Sequence, residues 1–158
     1  AKCNRIVSTK LPIHLVLKSS NARGQWSLLH PRNAKMIRTV WQRQGKRFGV
    51  RTYSFVNVGN HLHAVVRIHN PRLFQSFLRA VAGLIARQVM GAQRSTPVLG
   101  TKQKLVKSWD ARPFTRLMHW GSDFDRVSHY IQRNQIQAVG FDVDVLFGDP
   151  DQMLKLAG

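Results

Sequence analysis

Two histidines, His61 and His63, flank the single residue Leu62, and far downstream Tyr130 stands one helical turn before Asn134. Side chains alternate across a strand, so two imidazoles one residue apart point to the same side of a sheet. On a helix, residues spaced by four share a face. Brought together, these pairs would form a small metal site with a phenol beside it. Two imidazoles and an amide oxygen leave coordination positions open, as a catalytic centre needs and a structural one does not. Mixed nitrogen and oxygen ligation without thiolate suits Mg2+ or Mn2+ with a substrate phosphate completing the shell, and leaves zinc, cobalt and nickel open. A tyrosine that attacks phosphorus makes a covalent phosphotyrosine that retains the energy of the broken diester, so joining can reverse cleavage without a nucleotide cofactor.

Plainer readings stand beside this one. Two histidines at a sheet edge can be surface residues. A helical tyrosine most often packs its ring and leaves its hydroxyl in water. Tyr53 has no ligand-type neighbour and is expected to pack or to lie on the surface.

Charge decides what substrate such a site would meet. The chain has 158 residues, with 25 Lys and Arg against 7 Asp and Glu, and a net charge of +18. That excess attracts polyanions and makes binding salt-dependent, which points to nucleic acid. Hydrophobic residues make up 43%, enough for one folded domain with a real core rather than a basic tail. The single cysteine, Cys3, excludes an internal disulfide and a Cys-rich zinc site, and fits a reducing cytoplasm. No apolar run is long enough to span a bilayer and no signal-peptide pattern is present. A cytoplasmic, nucleoid-associated protein without a membrane partner is the expectation.

The elements that must position these residues follow from periodicity. Pro12 to Lys18 alternates as a strand, with Ile13, Leu15 and Leu17 on one side and His14, Val16 and Lys18 on the other. Pro31 opens a helix whose apolar face is Ile37, Val40 and Trp41, and Gly49 ends it. Val50 to Val58 and His61 to His69 read as a hairpin around Gly59, with Leu62, Ala64, Val66 and Ile68 toward the core. Asn70-Pro71 opens a second helix with the stripe Leu73, Phe77, Val81, Leu84 and Gln88. Residues 91–107 read as a mobile basic loop, and Ala111 to Trp120 as a fourth strand. A third helix has Ser122 as its cap, with Asp125 completing a capping box. Phe124, Val127, Ile131 and Ala138 form its apolar stripe; Arg126, Tyr130, Arg133, Asn134 and Gln137 form its polar one. Gly140 stops it, and 142–158 is a tail.

The order β-α-β-β-α-β-α implies an α+β fold of the ferredoxin-like split β-α-β type. Its antiparallel sheet would have strands one and three at the centre, helices on one face and an added C-terminal helix bearing the tyrosine. The opposite face would lie open, with His14, His61 and His63 among cations.

The segment Y-S-F-V-N-V-G-N-H-L-H-A-V-V-R-I from Tyr53 to Ile68, followed by Y-I-Q-R-N-Q-I-Q-A-V-G from Tyr130 to Gly140, resembles the single-tyrosine HUH transposases. Within them it is most similar to the REP-associated tyrosine transposases and the small insertion-sequence enzymes. The similarity runs from about residue 12 to 141. It implies the split β-α-β fold, a divalent ion and a 5′-phosphotyrosine intermediate on single-stranded or hairpin DNA. By motif, His61 and His63 match the metal-binding histidines, Tyr130 the nucleophile and Asn134 the polar ligand. Val58-Gly59 stands where relatives commonly have Met-Pro, and Gln135 where they often have Pro; neither change removes a chemical group. Relatives include monomers and dimers that exchange the tyrosine helix, and both states remain open.

For phosphate contacts the expected residues are Lys18, Arg67, Arg126 and Arg133, with Lys104 and Lys107 from the basic loop. His14 falls on the site face, as a supporting residue or a surface one. A rival reading is a non-catalytic, domesticated nucleic-acid-binding protein of the same fold, which would have no need of Tyr130 and both imidazoles together.

Overall fold

The computed structural model describes residues 5–91 and 107–140. The elements run β1 (Ile13–Lys18), α1 (Pro31–Phe48), β2 (Val50–Asn57), β3 (His61–Ile68), α2 (Pro71–Met90), β4 (Phe114–Leu117) and α3 (Ser122–Ala138), with a short 3-10 turn at Gly24–Trp26. The four strands form one antiparallel sheet in the order β2-β3-β1-β4, which places β1 beside β3 at the centre. The α+β split β-α-β arrangement expected from the element order is the one observed.

The main core lies between one face of the sheet and helices α1 and α2. Ile13, Leu15 and Leu17 of β1 and Leu62, Ala64, Val66 and Ile68 of β3 are buried there with Ile37, Trp41, Phe74 and Phe77. Full burial of such side chains contributes about 1.5–3 kcal/mol each. Trp41 packs edge-on to Phe77 and donates its indole N–H to Thr52 Oγ1 at 3.0 Å. Asn70 caps α2, its Oδ1 accepting from the backbone N–H groups of Arg72 and Leu73.

Several expectations change at the level of tertiary packing. The α2 stripe is Phe74, Phe77, Leu78, Val81, Ile85 and Val89, turned part of a turn from the expected one; Leu73 is exposed. Phe77 and Val81 belong to both stripes, so periodicity alone does not separate them. The fourth strand is only Phe114–Leu117 rather than Ala111 to Trp120. Gly121, at φ 93°, occupies the cap position of α3 and Ser122 begins the helix, so the Ser122 and Asp125 capping box does not form. Asp123 holds that end instead, accepting from His119 N–H at 3.1 Å and pairing with Arg116 at 3.1 Å. The expected basic loop, with Lys104, and the expected tail lie outside the described residues apart from Gly91 and Lys107.

The largest correction concerns the sheet face opposite α1 and α2, which is not open. Helix α3 packs on it over β2 and β3, and Val56, Val65, Met118, Val127 and Ile131 form a second buried cluster. A β-bulge shifts the register of β2 against β3 between Thr52 and Ser54, and both sides of β2 are packed. Thr52 meets Trp41 on the core side, while Tyr53 lies edge-on to Trp120 and Phe124 beside α3. No helix among the described residues is long and apolar enough to cross a membrane.

Candidate active site

The β2–β3 turn fixes the first histidine. Gly59 adopts φ +95°, open to glycine and unfavourable to other residues. Asn57 Oδ1 accepts from Gly59 N–H at 3.0 Å, and Leu28 N–H donates to Gly59 O at 2.8 Å. This turn presents Asn60, whose Oδ1 contacts His61 Nδ1. With the amide oxygen accepting, Nδ1 would carry the hydrogen and His61 Nε2 would keep its lone pair. That is the arrangement by which a partner orients a ligating imidazole.

His63 sits one row further along β3, opposite Val16 of β1 and Val56 of β2. Its ring lies 4.7 Å from that of His61 and stacks on His14 at 5.6 Å, with His14 Nε2 and His63 Nδ1 3.3 Å apart. The tautomer that donates Nδ1–H to His14 leaves a lone pair on His63 Nε2, which is buried without a partner. Asn134 Nδ2 is likewise buried and unpartnered. Rotation of that amide would exchange its nitrogen for its oxygen. These two unsatisfied groups fall on residues whose motif implies metal ligands, and the donor chemistry of His61, His63 and Asn134 fits a divalent ion. No cluster of three His, Cys, Asp or Glu suited to a metal exists among the described residues.

Helix α3 supplies the remaining groups. Val127 and Ile131 anchor it on the sheet, which turns Tyr130 toward β3. The Tyr130 ring lies 6.0 Å from the His63 ring, edge-on at 88°, and is 53% exposed. His61 and Asn134 line a cleft of ≈ 260 Å³ with Val58, Gln137 and Ala138. Gln137 is expected on the polar stripe of α3 but not in the site. Its spacing of seven from Tyr130, two turns along one helix face, is the signal that places it there.

All three imidazoles are pushed toward the neutral form. Burial, then the charges of His61 and His14, depress His63 from 6.5 to about 4. Burial followed by Lys18 lowers His61, and burial followed by Arg116 lowers His14. Neutral rings keep their lone pairs for ligation or proton transfer. The depressed His63 also sets a stability limit. Below pH 6.5 the unfolded chain takes up protons that folded His63 refuses, so stability present above 6.5 drains away as pH falls toward 4. Metal-free protein is expected to lose at most about 2 kcal/mol of unfolding free energy between about pH 7 and 5 from His63, less where solvent screens the ring. A proton bound by the unfolded chain alone is worth about 1.36 kcal/mol for each pH step of one. Urea titrations at the two pH values check this, and a loss that is unchanged in His63→Gln would contradict it.

The expected phosphate contacts are distributed unevenly. Lys18 is exposed at the end of β1, directly opposite His61. Lys107 is exposed, and Asp110 N–H donates to Lys18 O at 2.9 Å, so this segment reaches the same end of the sheet. Arg126 is exposed and Arg133 half-buried on α3. Arg67 shares the site face but lies about 13 Å along β3 from His63, with Nε donating to Thr9 O at 3.3 Å. Phe114 is an addition that the sequence does not announce: it projects from β4 onto the site face, 57% exposed, 6.5 Å from the His14 ring.

No protein-family model matches the sequence, and no curated protein does so either. Solved structures do resemble it. A REP-associated tyrosine transposase bound to a REP hairpin is similar over 87% of this chain and 73% of its own, with a TM-score of 0.64 and 16% identity. A candidate transposase from Deinococcus radiodurans R1 is similar over 85% of this chain and 98% of its own, with a TM-score of 0.51 and 16% identity. Identity this low speaks for the fold. The chain thus has the fold of a REP-associated tyrosine transposase, the family that its histidine and tyrosine motifs resemble.

Proposed function

We propose that the protein is a transposase-like endonuclease and strand transferase that opens single-stranded or hairpin DNA through a 5′-phosphotyrosine on Tyr130. One observation carries the reading: within a single chain, the Tyr130 ring lies against His63, while His61 and Asn134 share the adjoining cleft. The hairpin held by the similar transposase and the +18 charge of this chain favour a DNA substrate.

In the proposed reaction the Tyr130 oxygen attacks the scissile phosphorus and the bond to the 3′ oxygen breaks. The phenol gives up its proton and the departing 3′ oxygen takes one, so the charge balances. Attack by a 3′-hydroxyl on the phosphotyrosine reverses these steps and joins strands. His61 Nε2, His63 Nε2 and the Asn134 amide oxygen would hold a Mg2+ or Mn2+ ion. Bound there, the ion would polarise the phosphate and offset charge developing on its oxygens. Asn60 and His14 keep the two imidazoles oriented, and Lys18 steers phosphate toward them.

The test is a denaturing gel on protein mixed with labelled single-stranded hairpins from DNA flanking its gene, with Mg2+ or Mn2+. A covalent protein–DNA band dependent on the ion is expected. Salt-sensitive binding that yields no adduct with any divalent ion would overturn the enzymatic reading and leave a binding protein.

A further inference from the structure

We infer that Phe114 is a stacking platform for an unpaired base of the DNA strand, next to the phosphodiester presented to Tyr130. The inference rests on the reading of the site proposed above and extends it to the part of the sheet that α3 leaves uncovered.

Cross-strand pairing sets the geometry. Phe114 pairs with Val16 and Val16 with His63, so all three lie in one row on one face of the sheet. Strands spaced by about 4.8 Å put Phe114 about 10 Å across the sheet from the His63 position, within reach of a neighbouring nucleotide. The rings form a continuous track. Phe114 meets His14 edge-on at 6.5 Å, His14 stacks on His63 at 5.6 Å, and His63 meets Tyr130 edge-on at 6.0 Å. One end of the track is the candidate nucleophile and the other an aromatic ring that is 57% exposed.

Phe114 is not part of either buried cluster, whereas Tyr53 of β2 and Phe124 of α3, on the same side of the sheet, pack against the second one. Cations border the track. Arg116 lies two residues along β4, opposite His14, and Lys18 ends β1 on the same face. A polyanion with flat apolar rings matches this surface better than an apolar partner does. Bases stack on aromatic side chains whatever their sequence, and the backbone then follows the cations.

The experiment uses the full chain carrying Tyr130→Phe, so that binding is read without cleavage. Affinities are measured for a hairpin with a single-stranded flank, and for the same DNA with an abasic site at each flank position in turn. Phe114→Ala is expected to weaken binding of the intact strand about tenfold, within the range of base–aromatic stacking. With the base at one particular position removed, the substitution should cost nothing. Phe114→Trp should restore affinity, and 2-aminopurine placed at that position should be quenched by the parent and released from quenching by Phe114→Ala. Equal affinity of Phe114→Ala and its parent, or the same loss at every abasic position, overturns the inference. The adduct assay is independent: adduct formation with no Phe114 effect removes only the platform, and the platform without adduct removes only the nuclease. Phe114 is exposed, so unchanged thermal melting of the variant certifies its fold.

Discussion

Tyr130→Phe is expected to abolish covalent capture of DNA while the chain folds and binds a strand as before. The substitution deletes one oxygen. The ring that meets His63 remains, and because Tyr130 is 53% exposed, no buried polar partner is stranded. Stability should therefore shift by less than about 0.5 kcal/mol, as for most surface changes. Cleavage should fall by at least about 10³-fold, because the proposed nucleophile has gone. The other tyrosine cannot substitute: Tyr53 is packed edge-on to Trp120 and Phe124. A labelled oligonucleotide that still migrates with the Tyr130→Phe protein under denaturing conditions would sink the assignment of the nucleophile. Equal strand affinity of parent and variant, measured by anisotropy, would show that the loss is chemical.

His63→Ala should have an effect of similar size by a different route. His63 is the hub of the site, its ring lying beside those of His14, His61 and Tyr130. Even a residue that only orients a metal ligand typically costs 10–100-fold when removed, so loss of the proposed ligand His63 should lower cleavage by about 10²-fold or more. Strand binding should weaken only a few-fold, because phosphate contacts by cations dominate affinity for nucleic acid. Calorimetric titration with Mn2+ should show binding by the parent and little by His63→Ala, a readout that does not depend on turnover. Parental cleavage rates in the variant would refute a metal role for this imidazole.

Much of this architecture is legible because local signals and tertiary placement agree. The β2–β3 hairpin around Gly59 and the Asn70-Pro71 start of α2 each have a short-range physical cause, and both form as expected. So does the order of elements, and with it the central pairing of β1 with β3. The relation between Tyr130 and His63 is legible only through the resemblance, since no periodicity links residues so distant in sequence. What escapes is nonlocal. The apolar stripe of α3 is visible as Val127 and Ile131, but nothing in it names the β2–β3 face as the surface it covers. Val65 therefore reads as outward-facing although it is fully buried. Phe114 is hidden because a fourth strand drawn too long and without a phase assigns no side to its aromatic. Ser122 looks like a cap by residue type, yet Gly121, with its positive φ, takes the position.

The anchoring of α3 onto its own sheet has one more consequence. Val127 and Ile131 lock the helix against Val56 and Val65, so the phenol and the imidazoles belong to one polypeptide and keep their spacing through covalent continuity. On the reading proposed above, a second copy would owe the first no side chain for chemistry. Adduct formed per mole of protein should then be independent of dilution, and a yield that falls as the protein is diluted would assign the site to a pair of chains.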